Sequence, residues 1–172
     1  MYIDFNEITD TARLWVYQAN RTLTDAEVQQ IDAALRPALS GWAAHGEPLL
    51  AAAQVVANRF VVIAVDEGHH LPSGCSIDSS VGFLRQISAT LSQQGEAIDF
   101  FDRSAAYLDS EKQIQTVTLP NIKAAVADGR LTPETLVVNT LVNTKATFLA
   151  DWLVPAQTTW LKRYFIPKTV SV

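Results

Sequence analysis

Apolar residues along the chain recur with two periods, and the switches between them mark the elements. Residues 14–18, Leu-Trp-Val-Tyr-Gln, are rich in β-formers and are closed by Asn20-Arg21, which predicts a first strand. Thr24 followed by Glu27 reads as a capping box. Val28, Ile31, Leu35, Leu39 and Trp42 then recur at helical spacing, with Pro37 expected to kink the helix they form. Two apolar runs, residues 49–57 and 60–65, flank Asn58-Arg59, where asparagine tolerates the positive φ of a tight turn. Neither run alternates with polar residues, so the pair predicts a hairpin buried on both faces. Ile77, Val81, Leu84, Ile87 and Leu91 mark a second amphipathic helix, with Ser76 or Asp78 as its cap and Gly95 as its stop. A strand around residues 104–108 completes the pattern.

The order strand, helix, strand, strand, helix, strand predicts an α+β fold. Its expected form is the ferredoxin-like split βαβ two-layer sandwich, with both helices on one face of an antiparallel sheet, over residues 1–110. Beyond it, residues 112–118 alternate as a strand paired back through Asp109-Ser110. Leu119-Pro120-Asn121 then opens a short helix that Gly129 ends. Residues 135–142 and 147–154 read as strands, and a terminal helical turn carries Trp160, Tyr164 and Phe165. Residues 111–172 are therefore expected to form a C-terminal β/α extension or small subdomain, with no Gly/Ser/Pro-rich linker before it.

Composition narrows the function classes. A chain of 172 residues with 48% hydrophobic and 18% charged residues builds an ordinary core and is not disordered. Its net charge of −5 leaves a nucleic-acid binder without the basic face it needs. Trp15, Trp42, Trp152 and Trp160 accordingly read as core or interface anchors and not as a base-stacking platform. The first ten residues carry Asp4, Glu7 and Asp10 and no cation, unlike a secretory signal. Residues 49–65 are interrupted by Gln54 and Asn58-Arg59 and fall short of the roughly 20 residues a bilayer requires. With Cys75 as its one thiol, the chain is expected to be soluble and cytoplasmic, with no membrane insertion.

Candidate chemistry gathers in one stretch: Asp66, Glu67, His69, His70, Ser73, Gly74, Cys75, Ser76 and Asp78, between a buried strand and a helix start. Read structurally, the acids end the strand, the histidines are solvated, and Ser76 and Asp78 cap the helix. Read functionally, free N–H groups and the positive end of the helix dipole form an anion or small-ligand pocket. They also lower the Cys75 pKa toward a reactive thiolate, with His45 as the base. Adjacent His69 and His70 diverge in an extended segment, and neither H-E-x-x-H nor C-x-x-C occurs, so no metal and no cofactor is expected.

The segments WVYQAN (15–20), GWAAHG (41–46), NRFVVIAVDE (58–67), SGCSIDSS (73–80), FFDR (100–103) and TLVVNTLVNTK (135–145) resemble a family of uncharacterised bacterial proteins commonly labelled "ABC transporter ATPase". The resemblance implies kinship and no mechanism. ATP hydrolysis is disfavoured on the residues themselves. Gly41 and Gly46 have P-loop spacing, but Glu47-Pro48 follow, a negative charge and a missing N–H where phosphates need a lysine and backbone donors. Residues 61–65 ahead of Asp66-Glu67 imitate a Walker B strand only in being apolar and acid-ended. Two readings follow. The first is a non-catalytic binding or assembly module, as a homodimer or with a protein partner; the alternative is a small enzyme with Cys75 as nucleophile and His45 as base.

Overall fold

The structure, a computed structural model, describes residues 1–68 and 74–167, with Ala44 and residues 74–77 described by their backbone alone. The fold is α+β. The chain forms two compact units, the first made of Met1–Asp102 and Thr140–Ala150, the second of Arg103–Asn139 and the chain from Asp151 on. The expectation divided the chain once, near 110, whereas these units interleave.

In the first unit, β1 (Arg13–Gln18) leads through Thr24 into α1 (Asp25–Ser40). A small hairpin of β2 (Ala43–Ala44) and β3 (Glu47–Pro48) follows, then β4 (Leu50–Val56), β5 (Phe60–Asp66) and α2 (Gly74–Ser92). The sheet order is β1-β5-β4, antiparallel throughout, with Arg13 opposite Val65 and Leu50 opposite Asp66. This is the order of the first, third and second strands of a split βαβ sandwich. Ile31, Leu35 and Leu39 of α1 and Leu84, Ile87 and Leu91 of α2 close over Ala51, Ala53, Val61, Ile63 and Val65, so both helices lie on one face.

The expected fourth strand does not join this sheet. Residues 99–102 run alongside β1 in the wrong direction, with Phe101 bridging Gln18 in parallel and Asp102 N donating to Gln18 O at 3.2 Å. The other half of that edge is taken by the chain around Thr144, which bridges Arg13, while Leu14 N donates to Asn143 O at 3.0 Å. With the edge occupied, β6 (Ala105–Leu108) pairs within a second sheet instead. The outer edge of β4 is covered too, since Tyr2 bridges Ala51 and Ile3 N donates to Ala51 O at 2.9 Å.

The β4–β5 turn places Ala57 and Asn58 at φ 52° and 48°, the two left-handed residues a tight hairpin requires. Burial on both faces holds for β5, where Phe60 and every residue to Val65 are fully buried. In β4 it holds only for residues 51–53; Leu50 is 37% exposed and Gln54 to Val56 are half-buried, because β4 has β5 on one side only.

The capping box is present: Thr24 Oγ1 accepts from Glu27 N at 3.1 Å and Glu27 Oε2 accepts from Thr24 N at 2.9 Å. Arg21 then grips both Glu27 oxygens, at 2.7 and 2.9 Å, and donates to Glu96 O at 2.8 Å, tying the start of α1 to the chain beyond α2. α1 continues through Pro37 to Ser40. α2 already includes Gly74, so Ser76 and Asp78 lie inside the helix and are not its caps.

The second unit is a sheet of order β7-β6-β8-β9, with β7 (Ile114–Val117), β8 (Leu136–Val138) and β9 (Leu153–Pro155) joining β6. Asp109 shapes the β6–β7 turn as expected, its Oδ1 accepting from Glu111 N and Gln113 N at 2.9 Å. A 3-10 turn (Leu119–Asn121), α3 (Ile122–Ala127) and two more 3-10 turns (Ala156–Thr158, Trp160–Tyr164) supply Ile122, Ala125, Ala156 and Leu161 to a core with Ala105, Tyr107, Val117 and Val137. The strand expected over 147–154 is mostly helix. In α4 (Lys145–Asp151) Thr144 Oγ1 accepts from Thr147 N and Thr147 Oγ1 from Thr144 N, both at 3.1 Å, a reciprocal cap that outweighs the local β-propensity.

Val62→Asp places an unpaired carboxylate in the middle of β5, costs several kcal/mol and prevents folding. Leu50→Asp, at the exposed end of β4, leaves the melting temperature within a few degrees of the native value; a thermal melt of each checks the contrast. The second expectation concerns pH. The Arg21 hydrogen bond, aided by the capping box, lowers the Glu27 pKa from 4.5 to about 2. A depressed carboxylate contributes stability that is fully present above 4.5 and lost as pH falls toward about 2, on the order of 2 kcal/mol after solvent screening. Glu27→Gln should lower the melting temperature at pH 7 and shrink the difference between pH 7 and pH 2.

Candidate functional site

Asp66 closes β5, and its Oδ1 accepts from Gly68 N at 2.9 Å while Gly68 adopts φ 62°, so this carboxylate shapes the turn that ends the strand. Glu67 is half-buried, and its Oε1 is enclosed without a hydrogen-bond partner among the described residues. His69, His70 and Ser73 lie outside the described residues. Gly74, Cys75 and Ser76 are placed by backbone only, in the first turns of α2. Asp78 follows them in the helix and is exposed.

His45 sits at the tip of the β2–β3 hairpin, exposed, at φ 53° with Gly46 at 83°. The pair forms a two-residue turn for which glycine is the natural second member. This hairpin precedes β4 in the chain, and Leu50, the first residue of β4, lies opposite Asp66. No hydrogen bond or ion pair joins His45, Asp66, Glu67 and Asp78 to one another among the described residues, nor does any group of three or more His, Cys, Asp or Glu there meet the requirements of a metal site.

Two polar arrangements, one buried and one partly buried, carry no signal in the sequence. Lys145 is 6% exposed; its Nζ donates to Asn6 O at 3.1 Å and Ile8 O at 2.6 Å and lies 3.6 Å from Asp10 Oδ1. The two carbonyls accept from the ammonium and the Asp10 carboxylate balances its charge, so it acts as a pin for the turn near the start of the chain. Tyr17 Oη lies 2.5 Å from Ser80 Oγ, linking β1 to α2, and burial pushes its pKa up while the serine hydrogen bond opposes this.

An open space in the first unit lies elsewhere, a groove of about 410 Å³ between α1 and α2. Ala34, Pro37 and Ala38 line it from α1, and Phe83, Ile87 and Leu91 from α2. Gln30, Gln86, Thr90 and Gln94 supply its polar groups. Phe83 is held edge-on against Trp42, with ring centroids 5.6 Å apart, and Trp42 in turn meets Trp15 at 6.4 Å, so the end of the groove is braced by aromatic packing. Its signal in the sequence is a stripe on each helix wider than the core needs: 30, 34, 37 and 38 on α1, and 83, 86, 87, 90 and 91 on α2, continued by Gln94 just past its end.

No protein-family model, curated protein or solved structure matches the chain.

With Asp78 inside the helix, Asp78→Ala should change stability by less than about 0.5 kcal/mol in chemical denaturation. A loss of about 1 kcal/mol would restore the capping role.

Proposed function

We propose that the protein is a non-catalytic binding module that holds an uncharged, partly apolar small molecule in the groove between α1 and α2. The observation carrying this reading is the lining. A volume of about 410 Å³, mostly apolar walls and three glutamines with one threonine match the general character of ligand pockets, in which a few placed polar groups orient the guest. Glutamine amides both donate and accept, so they match a ligand bearing carbonyl or hydroxyl groups. No carboxylate, imidazole, amine or thiol belongs to the lining, so the groove is equipped to hold a molecule and not to move its protons.

The other readings draw less support. A P-loop runs from a strand into a helix, so that the helix N-terminus faces the phosphates. Here Gly41 caps the end of α1, Gly46 turns a hairpin, and strands follow, which is the reverse order. Catalysis by Cys75 with His45 gains nothing from a histidine at the tip of an exposed hairpin. Dimerisation through the first sheet competes with the segments that occupy both its edges. No helix among the described residues is long and apolar enough to cross a membrane; a reducing cytoplasm, inferred from the single cysteine, is the compartment we assign.

Nile red, a neutral apolar dye, tests the groove. Its emission should rise saturably with one site per chain. Ala34→Trp, which fills the groove from an exposed position of α1, should weaken binding by about tenfold or more with the melting temperature unchanged. Equal dye affinity in Ala34→Trp, Gln86→Ala and the native protein would remove the groove from consideration.

A further inference from the structure

The two units differ in charge. The first carries six Lys or Arg against thirteen Asp or Glu, the second seven against five. Within the second, residues 152–167 hold Lys162 and Arg163 and no acid. α3, which packs on the turn Trp160–Tyr164, adds exposed Lys123. The acid just beyond α3, Asp128, is already engaged by Arg130 at 2.9 Å.

The turn Trp160–Tyr164 presents Lys162 and Arg163. Leu161 is 1% exposed and anchors the turn in the core, Thr159 Oγ1 accepts from Leu161 N at 3.2 Å, and the flanking Trp160, Lys162 and Arg163 face outward. The Arg163 guanidinium lies 4.9 Å from the Tyr164 ring centre and 5.9 Å from that of Trp160, and one of its nitrogens donates to the Tyr164 hydroxyl at 3.0 Å. Two aromatic rings thus fix a cation that usually wanders. Neither Lys162 nor Arg163 makes an ion pair among the described residues, while Trp160 is 38% and Ile166 61% exposed beside them.

We propose that this face of the second unit docks an acidic segment of a partner protein in which an apolar side chain adjoins the carboxylates. Tryptophan, tyrosine and arginine are the residue types that dominate interface energetics, and here all three are preassembled, so little side-chain freedom is lost on binding. Arginine's fork matches a carboxylate and exposed Trp160 and Ile166 match its apolar neighbour. A duplex or an anionic bilayer extends its charge far beyond a patch of this size and would meet a chain of net charge −5, so a short acidic stretch fits better.

The test uses the full chain and a fluorescein-labelled peptide of alternating glutamate and leucine, followed by anisotropy at low and high salt. Binding should saturate and weaken as salt rises. The double variant Lys162→Glu/Arg163→Glu should weaken it by about tenfold or more, and Trp160→Ala by a similar factor with the melting temperature unchanged. Native affinity in these variants would overturn the proposal. So would a single-stranded oligonucleotide or phosphatidylserine vesicles binding as tightly as the peptide, or self-association in sedimentation that the double variant abolishes, which would make a second copy the occupant. Because Ala34→Trp and Gln86→Ala alter the groove alone while Lys162→Glu/Arg163→Glu and Trp160→Ala alter the second unit alone, failure of either site is read separately from the other.

Discussion

The first unit is organised by β5. From Phe60 to Val65 its side chains are fully buried, on the face under the helices and on the opposite face alike, and its backbone is bonded to β1 on one side and β4 on the other. Such a strand has no solvated face, so alternation cannot fix its register: a slip of one residue exchanges one apolar set for another at little cost in transfer free energy. Register must come from the ends. The Ala57-Asn58 turn fixes the offset between β4 and β5, and Asn58 Nδ2 adds hydrogen bonds to Leu23 O at 3.1 Å and Asp25 Oδ1 at 2.9 Å, tying that turn to the start of α1.

Polar pins extend the same logic outward. Arg59, beside the turn, donates to Ala19 O at 3.2 Å and to Thr22 Oγ1 at 3.1 Å, and its partial burial lowers the guanidinium's pKa while Asp102 opposes the shift. With Arg21 on Glu27 and on the carbonyl of Glu96, two arginines and an asparagine tie the α1 start to its neighbours. Lys145 plays this part at the other end, where burying an ammonium is costly unless its donors are met. Carbonyls of Asn6 and Ile8 meet them, and that requirement, with the Thr144 bridge to β1, explains why residues 140–150 return to the first unit after the chain has entered the second.

What was legible in the sequence follows from this division between local and distant causes. β1, α1 with its capping box and the Asp109 turn each depend on residues a few positions apart and lie where the pattern placed them, and the β4–β5 turn differs only in centring on Ala57-Asn58 in place of Asn58-Arg59. The partner of β6 depends on which segment reaches the edge of β1 first, and no local pattern records that Thr144 and Phe101 get there. α4 was misread because Thr144-x-x-Thr147 supports a helix only if the two hydroxyls exchange caps. Asp78 was misread as a cap because its type suits one, while the helix had already begun at Gly74. Nothing in the sequence distinguishes Lys145 from a surface lysine, since its partners lie more than a hundred residues away.

The two proposed sites also separate by the force each would use. The groove between α1 and α2 is neutral within an acid-rich unit. An uncharged guest is therefore neither drawn nor repelled by that unit's field, and its affinity rests on apolar contact and amide hydrogen bonds. The aromatic and basic face of the second unit works the other way, with attraction before contact and stacking after it. Salt screens the second and leaves the first nearly untouched, because screening acts on exposed charges and not on buried apolar area. In the two proposals, one chain thereby carries a recognition site set by shape and another set by charge, and occupancy of each would respond to a different solution variable.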